Sequence, residues 1–328
     1  MAKKKRDMPK ALKIPLIIII TFSMVIVGII GGLSLLKFGI YSSFYQTKKN
    51  IFAVPGLNNG GVPQGICVNE DNNTYYVSEY DKNHGQPSRI YTIKGDESRK
   101  YSLYKDGEPF TGHVGGIATD NNYLYLADGG RIYIVNLDLF SKDNVEAKIN
   151  LTSFKEVPVA ASFVFTNGNE LFVGEFHYDK VKAYTLTHDV TRGNTTHHAL
   201  VAQYHLSDFD PNVDTPIKPH TYISITDKVQ GFAYTDDNKF VLSTSWGVSS
   251  SHAYVYENPG IDGTYQDEGG ETYPLIFLDN PIKDIVAPPM FEDLDYSEGR
   301  IITLTESACD KYIFGKPFGA YYAFSFKI

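Results

Sequence analysis

The chain has little cysteine and little positive charge where a folded body would carry it. Two cysteines in 328 residues exclude a disulfide framework. Residues 1–49 hold nine of the 30 Lys and Arg and one of the 38 acids, leaving 21 basic against 37 acidic groups, a formal net charge of -16, in the remainder. Such a body excludes nucleic acid as a partner, because phosphate backbones are held by clustered Lys and Arg. It favours a cationic or neutral partner, or bound metal ions. Long apolar runs are absent but for one, and outside that run no long stretch carries helical periodicity, which argues against a helical domain. No complete catalytic signature is present.

The one long run is IPLIIIITFSMVIVGIIGGLSLL, residues 14–36, without a charge. At about 1.5 Å per residue it spans a hydrocarbon core of roughly 30 Å. Lys3, Lys4, Lys5, Arg6, Lys10 and Lys13 precede it and fewer basic residues follow, so the positive-inside bias sets residues 1–13 as a cytoplasmic tail and the remainder outside. A cleaved signal peptide has a shorter apolar core and a small-residue cleavage site, and fits less well. The expected location is the cell membrane, single-pass. Gly28 and Gly32 make a small-xxx-small pair that would allow a weak homodimer through this helix. Residues 37–50 read as a juxtamembrane linker, with Tyr41, Phe44 and Tyr45 as interfacial anchors.

From residue 51 to 328 one pattern recurs five times, and 24 Tyr with 20 Phe suit its strands. The second strands are TYYVSE (Thr74–Glu79), YLYLAD (Tyr123–Asp128), ELFVGE (Glu170–Glu175), KFVLST (Lys239–Thr244) and IITLTE (Ile301–Glu306). Each ends eight residues after a turn residue: Asp71, Asp120, Asn167, Asp236 or Glu298. First strands begin at Gln64, Gly115, Ser162, Gln230 and Glu292. Third strands read as Arg89–Ile93, Arg131–Leu137, Lys180–Leu186, His252–Glu257 and Lys311–Phe314. Fourth strands read as Lys100–Tyr104, Ala147–Leu151, Leu200–Leu206 and Tyr273–Leu278. The expected fold is all-β: a β-propeller of five four-stranded blades, with six as the alternative, preceded by one transmembrane helix. Asn50–Val54 would supply a strand that closes the ring. Closure would bring Cys67 and Cys309, in the first and last copies, close together; a disulfide and two buried free thiols both fit.

Segments such as HVGGIATDNNYLYLADGGRIYIVNL (His113–Leu137) resemble the repeat of NHL and YVTN-type β-propellers, over roughly residues 52–328. The resemblance implies the propeller fold and carries no catalytic residues over.

In a propeller the first strands start on the face where the second strands end. Gln64, His113, Ser162, Gln230 and Trp246 are therefore expected to meet there as ligand-binding residues, with Glu79, Asp128, Glu175 and Glu306 as metal ligands for calcium or magnesium. Glu292 breaks the Gln/Gly/Ser pattern of the strand starts. With Glu175 and His177 it forms the candidate catalytic set. The competing reading is that each repeated acid caps its own turn. Weaker signals are the turn pairs Asp71/Asn73, Asp120/Asn122 and Asp236/Asn238, a His197/His198/His205 group, Ser249 in GVSSS, and glycosylation sequons at Asn72, Asn150 and Asn194. The sequence supports a membrane-anchored extracellular propeller that binds a protein, glycan or small ligand at its channel mouth. The alternative is a metal- or carboxylate-dependent hydrolase of lactones, phosphoesters or glycosides.

Overall fold

The repeated turns close through the side chains that mark them. Asp120 Oδ1 accepts from the backbone amides of Asn122 and Tyr123, both at 2.6 Å, and Asn167 Oδ1 from Asn169 (3.2 Å) and Glu170 (2.9 Å). Each turn reverses the chain into an antiparallel pair, and the chain builds a succession of such meanders. The structure is a computed structural model and describes residues 10–120, 122–181, 188–312 and 315–328.

The first meander holds β2 (Gly61–Asn69), β3 (Thr74–Asp81), β4 (Arg89–Lys94) and β5 (Glu97–Lys105), and β1 (Lys49–Ala53) precedes it. The second has β6 (Ile117–Thr119) and β7 (Tyr123–Asn136). The Leu137 amide donates to the Asn122 carbonyl at 2.9 Å, so β7 folds back on itself near Gly129, whose φ is +62°. β8 (Phe154–Thr166) serves two meanders: Phe154–Glu156 pair with Arg131–Tyr133, and its second half pairs with β9 (Glu170–Glu175). β10 (Ala199–His205) and β11 (Thr221–Ile225) complete the third. The fourth is β12 (Val229–Tyr234), β13 (Lys239–Thr244) and β14 (Ser251–Glu257), then, after β15 (Thr272–Phe277), β16 (Lys283–Ala287). The last is β17 (Phe291–Ser297), β18 (Arg300–Thr305) and β19 (Tyr322–Phe326), to which β1 adds as the outer strand. The first strands pack side by side in the order β2, β6, β8, β12, β17 and back to β2, a propeller-like arrangement around a common axis.

The expectation that the Asn50–Val54 segment closes the fold is met by β1, where Lys49 pairs with Ser325 and Ala53 with Tyr322. Several outer strands differ from the sequence reading. Tyr273–Leu278 does not complete the fourth meander, because β15 runs parallel to β11, with Tyr222 opposite Leu275. Likewise Lys148–Asn150 runs parallel to β5, with Leu103 opposite Ile149. Both segments cover the outer edge of the preceding meander, where unpaired backbone groups would otherwise face solvent. Leu200–Leu206 is the neighbour of the second strand, not the outermost. The last meander's third strand is β19 in place of Lys311–Phe314. Residues 182–186 of the expected third strand, Ile313 and Phe314, and the basic residues before position 10 lie outside the described residues. An apolar run announces a strand without naming its partner. Cys67 and Cys309 are both buried free thiols.

Helix α1 (Lys10–Leu35) matches the expected apolar helix, and residues 17–40 form a stretch of mean hydropathy 2.5 in which no residue is buried by the rest of the protein. The aromatic residues after it are not free anchors. They enter α2 (Ser42–Thr47), which seats Phe44 against Phe291, Phe324 and Phe326 at ring-centroid distances of 5.3 to 5.6 Å. Tyr41 is buried too, and Tyr45 donates its hydroxyl to the Phe318 carbonyl at 2.7 Å. The hydrophobic effect decides this, since a fully buried phenylalanine outweighs an interfacial one.

Phe44→Ala is expected to lower the stability of the full chain in detergent by about 3 to 5 kcal/mol in urea unfolding, whereas Tyr321→Ala, at an exposed ring, shifts it by less than about 0.5 kcal/mol. Asp293→Ala, which removes the acceptor of two buried amides, is expected to cost more than Asp293→Asn in the same measurement, because the amide oxygen of Asn still accepts.

Candidate functional site

The pairing register breaks at the start of four of the first strands: between Pro63 and Ile66, Ala161 and Phe163, Val229 and Gly231, and Phe291 and Leu294. Such breaks re-aim a side chain out of the sheet. Here they turn Gln64, Ser162, Gln230 and Glu292 into one cavity of 470 Å³. Backbones approach closely just below it: a Cβ on Gly231 would lie 2.5 Å from the Leu294 nitrogen, so only glycine fits. His113, Asp128, Trp246 and Glu306 also line the cavity, joined by Tyr80, Lys311 and Tyr312. A larger open cleft of 720 Å³ lies between residues 152–158 and 211–219, but no buried acid lines it. The smaller cavity is the better site because buried titratable groups converge in it.

Glu292 is 3 % exposed. Burial pushes its carboxyl well above the usual range, and the neighbouring Glu306 and Asp293 push it further, which favours the neutral form. Glu306 is raised by burial to about 7, with Lys311 and the Gln64 hydrogen bond (Nε2 to Oε2, 3.1 Å) pulling it back. Lys311 donates to the Tyr80 hydroxyl at 2.7 Å, and His113 stacks on the Tyr80 ring at 4.5 Å. The indole of Trp246, partly exposed, packs on Phe176 and Tyr178.

The repeated acids do not assemble into a metal ring. Glu79, fully buried, lies 3.1 Å from Arg89 Nε with Gly56 and Gly61 against its carboxylate; burial raises it while Arg89 lowers it. Asp128 accepts from the amides of His113 (2.7 Å) and Val114 (3.2 Å). Glu175 is held by His188 Nδ1 (2.6 Å) and the amides of Leu200 (2.9 Å) and Ala160 (3.3 Å). Each is consumed by a local partner, and among the described residues these three acids with Glu306 form no converging group of three. His177 is buried beside Asp227 (3.2 Å) and Asp179 (3.4 Å). Neither it nor Glu175 lines the cavity, so of the candidate catalytic set only Glu292 does. The histidine group also separates: His197 stacks on Phe277 at 4.4 Å, His198 pairs with Asp189 at 2.8 Å, and His205 meets Glu170 and His220 instead. Ser249 stands exposed in a loop. Sequence reasoning missed Tyr80, Lys311 and Tyr312. Tyr80 directly follows a repeated acid, which was a usable signal, whereas Lys311 was absorbed into an expected strand.

No family model and no curated protein matches the chain. Among solved structures it is similar to the nidogen/laminin complex, with 9 % identity and TM-score 0.40 over 75 % of this chain and 73 % of that one. It is also similar to the PQQ-bound aldose sugar dehydrogenase of Streptomyces coelicolor (14 %, 0.44, 79 % and 78 %) and to the glutaminyl cyclase of Myxococcus xanthus (8 %, 0.40, 85 % and 94 %). These neighbours are β-propeller folds.

A carboxyl whose folded pKa is raised keeps its proton between the unfolded and folded values, so stability falls as pH rises through that window. For Glu306 the window runs from 4.5 to about 7. Glu306→Gln is expected to flatten the pH dependence of the urea midpoint there, by up to about 1.4 kcal/mol per pH unit.

Proposed function

We propose that the chain is a five-bladed β-propeller tethered outside the cell membrane by α1, and that its channel mouth binds a small hydroxyl-rich ligand such as the end of a glycan. One observation carries this reading: the cavity sets the Trp246, Tyr80 and Tyr312 rings beside Gln64, Ser162, Gln230 and Glu292, whose carboxyl is biased by burial toward its neutral form. Neutral donors and acceptors beside aromatic faces suit a polyol better than a metal ion. The cyclic packing of the five first strands supports the blade number.

The way the chain enters the domain supports an orientation. Tyr41 follows α1 and its π-helical extension directly, its hydroxyl 3.2 Å from Ser250 Oγ and its ring edge-on to Phe318 at 5.6 Å. Ser250 and Phe318 lie in loops at the same end of the strands as the mouth, since both follow second strands. The mouth would then face the bilayer, with Trp246 and Val248 exposed beside it.

A second reading rests on Glu292 and Glu306, two interacting carboxyls with raised affinity for protons in one cavity, which is the arrangement a general acid and base require. It predicts a hydrolase.

Trp246 is the sole tryptophan, so its fluorescence reports on both ligand and bilayer. Titration with an oligosaccharide panel is expected to shift its emission saturably for at least one member, and Gln230→Ala to weaken that response tenfold or more; an unresponsive tryptophan across the panel would sink the glycan reading. Turnover of a glycoside or lactone that vanishes in Glu292→Gln would establish the hydrolase instead. In reconstituted bilayers, lipids spin-labelled near the headgroup are expected to quench Trp246. Quenching by aqueous acrylamide alone would reverse the orientation.

A further inference from the structure

The third meander brings three ligand-type side chains together at the end of its strands opposite the mouth. Glu170 opens β9 and His205 closes β10, and the two are directly opposed in the ladder. His220 stands just before β11, held there by its amide, which donates to the Gln203 carbonyl at 2.9 Å. Glu170 offers one oxygen to each imidazole: Oε1 lies 3.1 Å from His205 Nδ1, and Oε2 lies 2.6 Å from His220 Nε2. The two rings stack with centroids 4.5 Å apart. All three donor atoms fall within 4.8 Å of one another.

We propose that Glu170, His205 and His220 bind one divalent transition-metal ion, zinc by donor chemistry. Two imidazole nitrogens and one carboxylate oxygen are a set suited to zinc, which holds such donors at about 2.0 to 2.2 Å and keeps a fourth position for water or a partner's side chain. The surroundings prepare the ligands. Thr221 Oγ1 lies 3.0 Å from His220 Nδ1, so the ring can carry its proton there and present a bare Nε2. His205 is exposed enough to move its own proton to Nε2, facing solvent. Gln203 Nε2 reaches Glu170 Oε2 at 3.4 Å. All three residues sit on or beside neighbouring strands of one sheet, which holds their spacing with little loop freedom. Beside Glu170 and His205 a cleft of 620 Å³, also lined by Asp120, Asp210 and Asn212, leaves the fourth position accessible. The site does not depend on what the mouth binds.

The test uses the untagged full chain in detergent with zinc chloride as the probe. Competition against a chromophoric chelator is expected to show one bound equivalent, with a rise in Tm, and cobalt(II) is expected to give the visible spectrum of a four-coordinate site. His205→Ala, at an exposed side chain whose loss leaves the fold intact by circular dichroism, and His220→Asn should each weaken zinc binding tenfold or more. His252→Ala, which breaks an unrelated pair with Asp284 at 2.9 Å, should not. Failure of the unsubstituted chain to retain zinc, or zinc affinity unchanged from it in His205→Ala and His220→Asn, overturns the proposal and leaves a hydrogen-bonded triad only.

Discussion

The carboxyl of Asp293 sits where three first strands meet, and the ring depends on it. First strands side by side around an axis share no continuous ladder, so the backbone amides they turn toward one another need other acceptors. Asp293 Oδ2 accepts from Ile66 in β2 (3.3 Å) and from Ile117 in β6 (2.9 Å), while Asp295 Oδ2, two residues on, accepts from Val68 (2.8 Å). Side chains at i and i+2 share one face of a strand, so β17 presents both acids to β2. Ser78 extends the bridge by accepting from the Gly65 amide and donating to the Val114 carbonyl. Burial raises the pKa of Asp293, and its Oδ1 is buried with no hydrogen-bond partner among the described residues.

Scaffold and site are neighbours in sequence at this point. Glu292 and Asp293 stand in the same break in register, one facing the mouth and the other the strands behind it. The backbone around them is held in turn, because Ser243 donates to the Glu292 carbonyl and Thr303 to that of Asp293, both at 2.7 Å. A cavity lined from a rigid strand in this way is preorganised, and its acids cannot turn outward to regain water. Their elevated pKa values follow from that confinement.

The phase of the repeat was legible because turn residue, strand end and strand start recur at fixed offsets. It led directly to Gln64, Ser162, Gln230 and Glu292 at one mouth. The repeated acids have separate partners for a physical reason: at Glu79, Asp128 and Glu175 the carboxylate is taken up by Arg89, by turn amides and by His188. A repeat shows that a residue has a recurring task, and here the task is local. Strand order in the outer layer was hidden because Leu275 and Ile149 are equally apolar in either of two sheets. Phe44 was hidden by its place beside an apolar helix, where an aromatic residue suits lipid and protein alike. Glu170 and His220 lie 50 residues apart, and only the register of β9, β10 and β11 makes them neighbours.

The seam between β1 and β19 also governs the timing of folding. Thr47 and Lys327, whose backbone and hydroxyl groups bond across it, are 280 residues apart in the chain. Closing so long a loop is slow, and β1 and β18 gain their final neighbour only when the last strand arrives. During synthesis β2 to β17 therefore wait as an open array with a bare edge at each end. In that interval, before Phe44 has Phe324 and Phe326 to rest on, the growing chain is at its most vulnerable to pairing with another copy of itself.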